Sequence, residues 1–216
     1  RYLVRSRGLG DVYKRQVFTA DVGSPTVWAA RYLSMTENRR LIGSFTHGSM
    51  ANALLHGIGA QVSHPDRQVI ALAGDGGLAM MLGELLTLTQ NKLPVKTIVV
   101  NNSSLNFVEL EMKAAGFVNY GTALDNPSFA AIAEAMGIFA RRVENSEDLP
   151  DAVREVLAHD GPALLDVVTE RQELSMPPAI EAAQVKGFAL YAIRTVMSGK
   201  GDELLDLARA NWRQFL

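Results

Sequence analysis

The sequence has no cysteine and only two tryptophans, and its lysines and arginines nearly balance its acids. Without cysteine there is no disulfide, no thiolate metal ligand and no cysteine nucleophile, which suits a reducing compartment. A formal net charge of −2 gives no basic field for nucleic acid. No run reaches the roughly 18 consecutive apolar residues that a membrane-crossing helix needs. No charged-then-apolar leader opens the chain, which starts at Arg1 rather than Met and so reads as a piece of a longer protein. What is present is ordinary: 216 residues, 48% hydrophobic and 20% charged, enough for one α/β domain and an appendage.

Residues 1–16, RYLVRSRGLGDVYKRQ, are rich in arginine and lysine and show no helical or strand periodicity. They are expected to be foreign or disordered and to stand outside the fold. From Val17 on, short apolar runs alternate with longer helical stretches. Strands are predicted over Val17–Ala20, Arg40–Phe45, Gln68–Ala73, Val95–Val100 and Ala163–Val168. Helices are predicted over Val27–Tyr32, Ala51–Gln61, Ala79–Gln90, Pro127–Ala135 and Ser146–Ala158, the last capped by Ser146 or Asp148. Gln68–Ala73 carries a continuous apolar run, as a central parallel strand covered on both faces must, and Val95–Val100 reads as the next buried strand. The alternation predicts a doubly wound, mostly parallel α/β sheet over residues 17–172. After Glu173, Pro177-Pro178 breaks the chain and two helical segments, Ala179–Met197 and Asp202–Phe215, make a helical C-terminal region over 173–216.

In open parallel sheets ligands sit beyond the C-terminal strand ends. Three such ends carry unusual residues: Asp21-Val22-Gly23, Gly74-Asp75-Gly76-Gly77 and Asn101-Asn102. The last two bracket one strand–helix–strand unit, whose right-handed crossover can bring Asp75 and Asn102 to one point. A carboxylate and an amide oxygen are hard ligands suited to Mg²⁺ or Ca²⁺, and Mg²⁺ commonly shares its shell with phosphate oxygens. Helix amides behind glycines 74, 76 and 77 could receive that phosphate. Taken alone, Gly-Asp-Gly is usually a turn and Asn-Asn usually a loop; their separation by one such unit is what raises them above that. His47 and His56 have no catalytic partner visible in the sequence, and His56 fits a structural place on its helix.

Gly74-Asp75-Gly76, then 24 residues, then Asn101-Asn102 resembles the signature of the thiamine-diphosphate enzymes. Within them, NRRLIGSFTHGSMANAL, QNKLPVKTIVVNNSSLNFVELEMKAAG, VKGFALYAIR and GDELLDLARANW are similar to the pyruvate dehydrogenases that reduce quinone, also called bacterial pyruvate oxidases. The likeness runs from about Val17 to Trp212. It implies that Asp75 and Asn102 bind Mg²⁺ by side chain and Ser104 by its carbonyl. Gly76, Gly77 and the run Asn102, Ser103, Ser104, Leu105, Asn106, Phe107 and Val108 would cradle the diphosphate. Gly48, Ser49 and Met50 would hold the aminopyrimidine, with Met50 as the apolar wedge that bends the cofactor. Val22 would lie near the thiazolium, and Phe107 and Glu111, four apart on one helix face, near the substrate. The parent enzyme would decarboxylate pyruvate to acetate and CO₂ with thiamine diphosphate, Mg²⁺ and FAD, passing electrons to membrane quinone. It would be a homotetramer in the cytoplasm, peripheral on the inner face of the cell membrane and held to lipid by the C-terminal tail. On one face of that tail stand Leu205, Ala208, Trp212 and Phe215. The activating glutamate and the flavin domain would lie outside this chain, leaving it inactive alone. The alternatives are an acetolactate synthase, an oxygen-using pyruvate oxidase, or a non-catalytic binding module.

Overall fold

The computed structural model describes residues 15–171, 173 and 182–211. Most of the proposed foreign segment, Pro177-Pro178 and the tail residues Trp212, Phe215 and Leu216 lie outside the described residues. The chain divides into two compact units: residues up to 101 with 126–169, and residues 102–125 with those from 170 on.

The first unit holds a six-stranded sheet built from β1 (Val17–Ala20), β2 (Arg40–Ile42), β3 (Val69–Gly74), β4 (Lys96–Asn101), β5 (Phe139–Val143) and β6 (Ala163–Val168). The order is β2-β1-β3-β4-β6-β5, with every pairing parallel. Around it run α1 (Ser24–Tyr32), α2 (Ala53–Ser63), α3 (Asp75–Met80), α4 (Leu85–Gln90), α6 (Phe129–Ala135) and α7 (Leu149–Ala158). The second unit contains α5 (Asn106–Ala114), α8 (Ala182–Met197) and α9 (Gly201–Asn211).

Period-two alternation along β6 shows why helices are needed on both faces. Leu164 joins a core cluster with Leu54 of α2, Leu85 and Leu88 of α4 and Phe129 of α6. Its neighbours Ala163 and Leu165 join a second cluster with Ala152 and Val156 of α7. The sheet is doubly wound, as the run pattern predicts. The strand order reverses between β1 and β3: the chain leaves β1 for β2 on one side and returns to β3 on the other.

Several boundaries differ from expectation. Gln16, placed outside the fold by the sequence, is buried; its amide donates to Gln68 Oε1 at 2.8 Å and its carbonyl accepts from Arg40 N. Arg15 takes part as well, its carbonyl accepting from Arg67 Nε at 2.6 Å. The helix predicted over 79–90 starts at Asp75, breaks at Met81, passes through a 3₁₀ turn at Leu82–Glu84 and resumes as α4. Asp148 precedes α7, but its side chain makes no capping hydrogen bond. β5 went unread, because FARRV is short, carries two arginines and lies at the sheet edge.

Candidate functional site

The strand reversal puts the C-terminal ends of β1 and β3 side by side, the place where an open α/β sheet has its ligand crevice. At the end of β1 stands Asp21, buried. Its Oδ1 accepts N–H bonds from Asn52 and Ala53, both at 2.8 Å, and its Oδ2 accepts from Gly74 N at 3.1 Å. One carboxylate thus joins the start of α2 to the turn between β3 and α3. Burial pushes the Asp21 carboxyl up, opposed by those three N–H groups and by the nearby His56. A Cβ on Gly77 would lie 2.2 Å from Asp21 Oδ2 and 3.1 Å from Ala51 N, so the second glycine after Asp75 is required by packing.

The segment that precedes Asn52 is the exposed turn of residues 45–50 following β2. Gly48 has φ +64°, and its N–H donates to Ser44 O; Ser49 O accepts from Asn52 Nδ2 at 2.5 Å. Met50 is 37% exposed, open to a ligand as a wedge must be. Val22 is half-buried just beyond Asp21. Gly48, Ser49, Met50, Val22, Asp75, Gly76 and Gly77 therefore share the first unit, and Asp21 ties the Met50 loop to the Asp75 turn.

Asp75 opens α3 and is buried at 4% exposure. Its Oδ1 accepts from Gly76 N at 2.8 Å and its Oδ2 from Asn126 Nδ2 at 2.8 Å. Asn126 also donates to Asn101 Oδ1 at 3.0 Å, and Asn101 Nδ2 donates to Asp166 Oδ1 at 2.9 Å. Asp166, fully buried in β6, accepts on Oδ2 from Phe129 N at 3.1 Å and Arg142 Nη1 at 2.6 Å. One polar chain links the ends of β3 and β4 to the middle of β6. Sequence reading marked Asp21 as an unusual strand end without its acceptor role, and missed Asn126 and Asp166. A signal existed for Asp166: an acid inside the apolar ALLDVV demands a buried partner.

Asn102, Ser103, Ser104, Leu105, Asn106, Phe107, Val108 and Glu111 belong to the second unit. Asn102 is buried, and its Oδ1 accepts from Ser104 N at 3.0 Å. That turn holds Ser103 at φ +55°. Asn106 Nδ2 donates to the carbonyl of Glu173 at 3.1 Å. Phe107 is half-buried and Glu111 exposed on α5, one face as expected; the opposite face buries Glu109 and Lys113. Glu109 Oε1 accepts from Ser104 Oγ at 2.6 Å, Thr122 Oγ1 at 2.9 Å and Arg171 Nη2 at 3.0 Å, and Lys113 Nζ lies 3.4 Å from Oε2. Burial would push the Glu109 carboxyl up, but the hydrogen bonds from Ser104, Arg171 and Thr122 and the Lys113 charge outweigh it and hold it below the usual range. Glu109 is the carboxylate around which this unit is built.

The residues fit a magnesium diphosphate group by chemistry. Asp75 gives an oriented carboxylate and Asn102 an amide oxygen, both hard donors. Among the described residues no group of three or more His, Asp or Glu could hold a metal by itself. Mg²⁺ held by few protein oxygens commonly takes phosphate oxygens as well.

Comparison with known proteins agrees with that chemistry. Residues 21–167 match the family "Thiamine pyrophosphate enzyme, C-terminal TPP binding domain". A Bacillus subtilis (strain 168) protein described as "Putative thiamine pyrophosphate-containing protein YdaP" is 35% identical over 92% of this chain and 34% of its own length. The acetolactate synthase large subunit of Porphyra purpurea is 34% identical over 80% of the chain and 30% of its own length. Acetolactate synthase isozyme 2 large subunit of Escherichia coli (strain K12) is 32% identical over 74% and 30%. The chain spans about a third of the length of these curated relatives. With an all-parallel doubly wound sheet, an aspartate at its reversal point and the match over 21–167, the chain belongs to the thiamine pyrophosphate enzymes, whose C-terminal TPP binding domain it carries.

Proposed function

We propose that this chain supplies the magnesium- and diphosphate-holding part of an enzyme that decarboxylates a 2-oxo acid, pyruvate, and joins the remaining two-carbon unit to a second 2-oxo acid, as an acetolactate synthase does. The observation that carries it is Asp75: a buried carboxylate at the reversal of strand order, oriented by Asn126 and followed by packing-required glycine. The acetolactate synthases among the relatives support this fate for the two-carbon unit.

On this reading Asp75 and Asn102 offer side-chain oxygens to Mg²⁺ and Ser104 its carbonyl. Gly76, Gly77 and residues 102–108 receive the diphosphate. Gly48, Ser49 and Met50 hold the aminopyrimidine, with the exposed Met50 side chain as the wedge. Val22, Phe107 and Glu111 border the reacting carbon. When bound, thiamine diphosphate supplies a nucleophilic carbon that stabilises the charge left as CO₂ departs. This chain's residues hold the group in place and keep Met50 and Phe107 as apolar, water-excluding walls. The test is calorimetry of thiamine diphosphate with Mg²⁺ on the full-length protein: Asp75→Ala is expected to abolish binding, and unchanged affinity would sink the assignment.

A second reading has the same decarboxylation feeding FAD and then membrane quinone, with acetate as product. One observation favours it. The Bacillus subtilis relative matches 199 residues, more of the chain than the synthases do, and the resemblance to the quinone-linked enzymes is carried by the C-terminal motifs. On this reading the protein is a tetramer in the cytoplasm that meets lipid through its tail. In the second unit α9 packs on α8 with Asn211 buried, while Leu205 and Ala208 are exposed. Co-sedimentation of the full-length protein with vesicles is expected to require pyruvate and to be lost on truncation after Gly201. Pyruvate-dependent sedimentation without the tail would remove the quinone reading's main support.

A further inference from the structure

Asp75 Oδ2 belongs to a hydrogen-bonded chain that starts at β5, on the sheet edge. Arg142 on β5 donates to Asp166 Oδ2, and Asp166 Oδ1 receives Asn101 Nδ2. Asp166 is fully buried, with Oδ2 taking Phe129 N and Arg142 Nη1, and the Asn101 amide turns its NH₂ toward Oδ1 and its oxygen the other way. That oxygen accepts from Asn126 Nδ2 at 3.0 Å, which aims the Asn126 NH₂ at Asp75 Oδ2, 2.8 Å away. Each amide has one orientation that satisfies its neighbours, and the hydrogen bond to Asp166 Oδ1 selects it.

Asn126 is itself held from behind. Phe129 N donates to Asp166 Oδ2, and Ser128 caps α6 by accepting from Ala131 N at 3.2 Å. Asp166 therefore fixes Asn126 twice, through the amide relay and through the backbone three residues on. Asn126 lies in the loop before α6, outside strand and helix, and is half-buried. Its side chain contributes no apolar packing to the core clusters. What it does is spend both amide hydrogens on two acceptors at adjacent strand ends.

We infer that Asn126 is a positioning residue for the divalent cation: oriented by Asp166 through Asn101, it fixes the plane in which Asp75 offers its carboxylate. The inference rests on the reading of Asp75 as a metal ligand. Partners that orient a metal-binding side chain in this way commonly govern affinity by about 10–100-fold.

The test uses Mn²⁺ as the probe, its binding to the full-length protein read by electron paramagnetic resonance in the presence of thiamine diphosphate. Wild type, Asn126→Ala, Asn126→Leu and Asp75→Ala are compared, each with its thermal unfolding midpoint. Leucine keeps the bulk of the amide and removes only its hydrogen bonds. Both Asn126 variants are expected to weaken Mn²⁺ by about 10–100-fold at a midpoint close to wild type, and Asp75→Ala to abolish binding. A Mg²⁺ titration of activity should show the same rise in half-saturation with kcat recovered at high Mg²⁺, a split that a folding defect would not produce. If Asp75→Ala loses Mn²⁺ while both Asn126 variants bind it as wild type does, the positioning role is overturned and the ligand reading stands. If Asp75→Ala binds Mn²⁺ normally, the ligand reading fails and the inference with it.

Discussion

At the scale of single residues, Asp21 and Lys96 make opposite demands on burial. Asp21 accepts only, and receives three backbone N–H groups. Asp21→Asn would turn an NH₂ toward either Gly74 N–H or the Asn52 and Ala53 pair, setting donor against donor. It is expected to cost about 1–3 kcal/mol in denaturant unfolding, with the loop of Gly48–Met50 loosened first in hydrogen exchange. Lys96 is buried where β4 begins, its ammonium donating to the carbonyls of His159 and Gly161. Burial lowers its pKa from 10.5 to about 8, partly resisted by Asp160. Between those values the unfolded chain binds more protons than the folded one, so stability rises with pH there, by at most about 1.4 kcal/mol per unit from this group. Chemical denaturation between pH 8 and 10 should show that slope in wild type and not in Lys96→Met. Asp75 and Asn101-Asn102 were legible in the sequence because polar residues closing apolar runs mark strand ends. Asn126 was not, since its meaning depends on a partner 51 residues away, and neither were the acceptor duties of Asp21.

At the scale of elements, glycine decides two packings that composition alone leaves open. A Cβ on Gly187 of α8 would fall 1.6 Å from Ala114 O at the end of α5, and one on Gly116 would meet Leu190 at 2.9 Å. Gly116 has φ +80° besides, and its carbonyl accepts from Arg194 at 2.7 Å. Gly187→Ala must therefore push α8 from α5; a loss of about 1–3 kcal/mol or more is expected, read as a lowered unfolding midpoint with the sheet's own exchange protection retained. The glycine of VKGF is thus a contact point between helices, which its motif context flagged without giving the cause. Strands with continuous apolar runs were read to within a residue or so. The 79–90 helix was misread because Gly76 and Gly77, weak helix formers, open α3, and Gly83 lies in the 3₁₀ turn that follows its end at Met80.

At the scale of the molecule, the described residues form two units, with the expected ligands divided between them: Asp75 in one, Asn102 and Ser104 in the other. Since the chain spans about a third of its relatives, it is expected to be inactive alone. Purified, it should produce no CO₂ from pyruvate with thiamine diphosphate and Mg²⁺, whereas the full-length protein should. Turnover by the chain alone would overturn this. Phe107→Ala in the full-length protein is expected to lower kcat while cofactor affinity holds, checked by steady-state kinetics beside calorimetry. The strand order also sets a timetable for synthesis. β1 is made before β2 and β3 yet sits between them, and the Gln16–Gln68 hydrogen bond beside its pairing with β3 spans 52 residues. At about 5–20 residues per second, a ribosome leaves the β3-facing edge of β1 without its partner for roughly 3–10 s. Such an edge is open to pairing with other nascent chains. Slow codons between residues 21 and 68 would lengthen that exposure, so expression yield should respond to translation speed in this stretch more than in the stretch after β3.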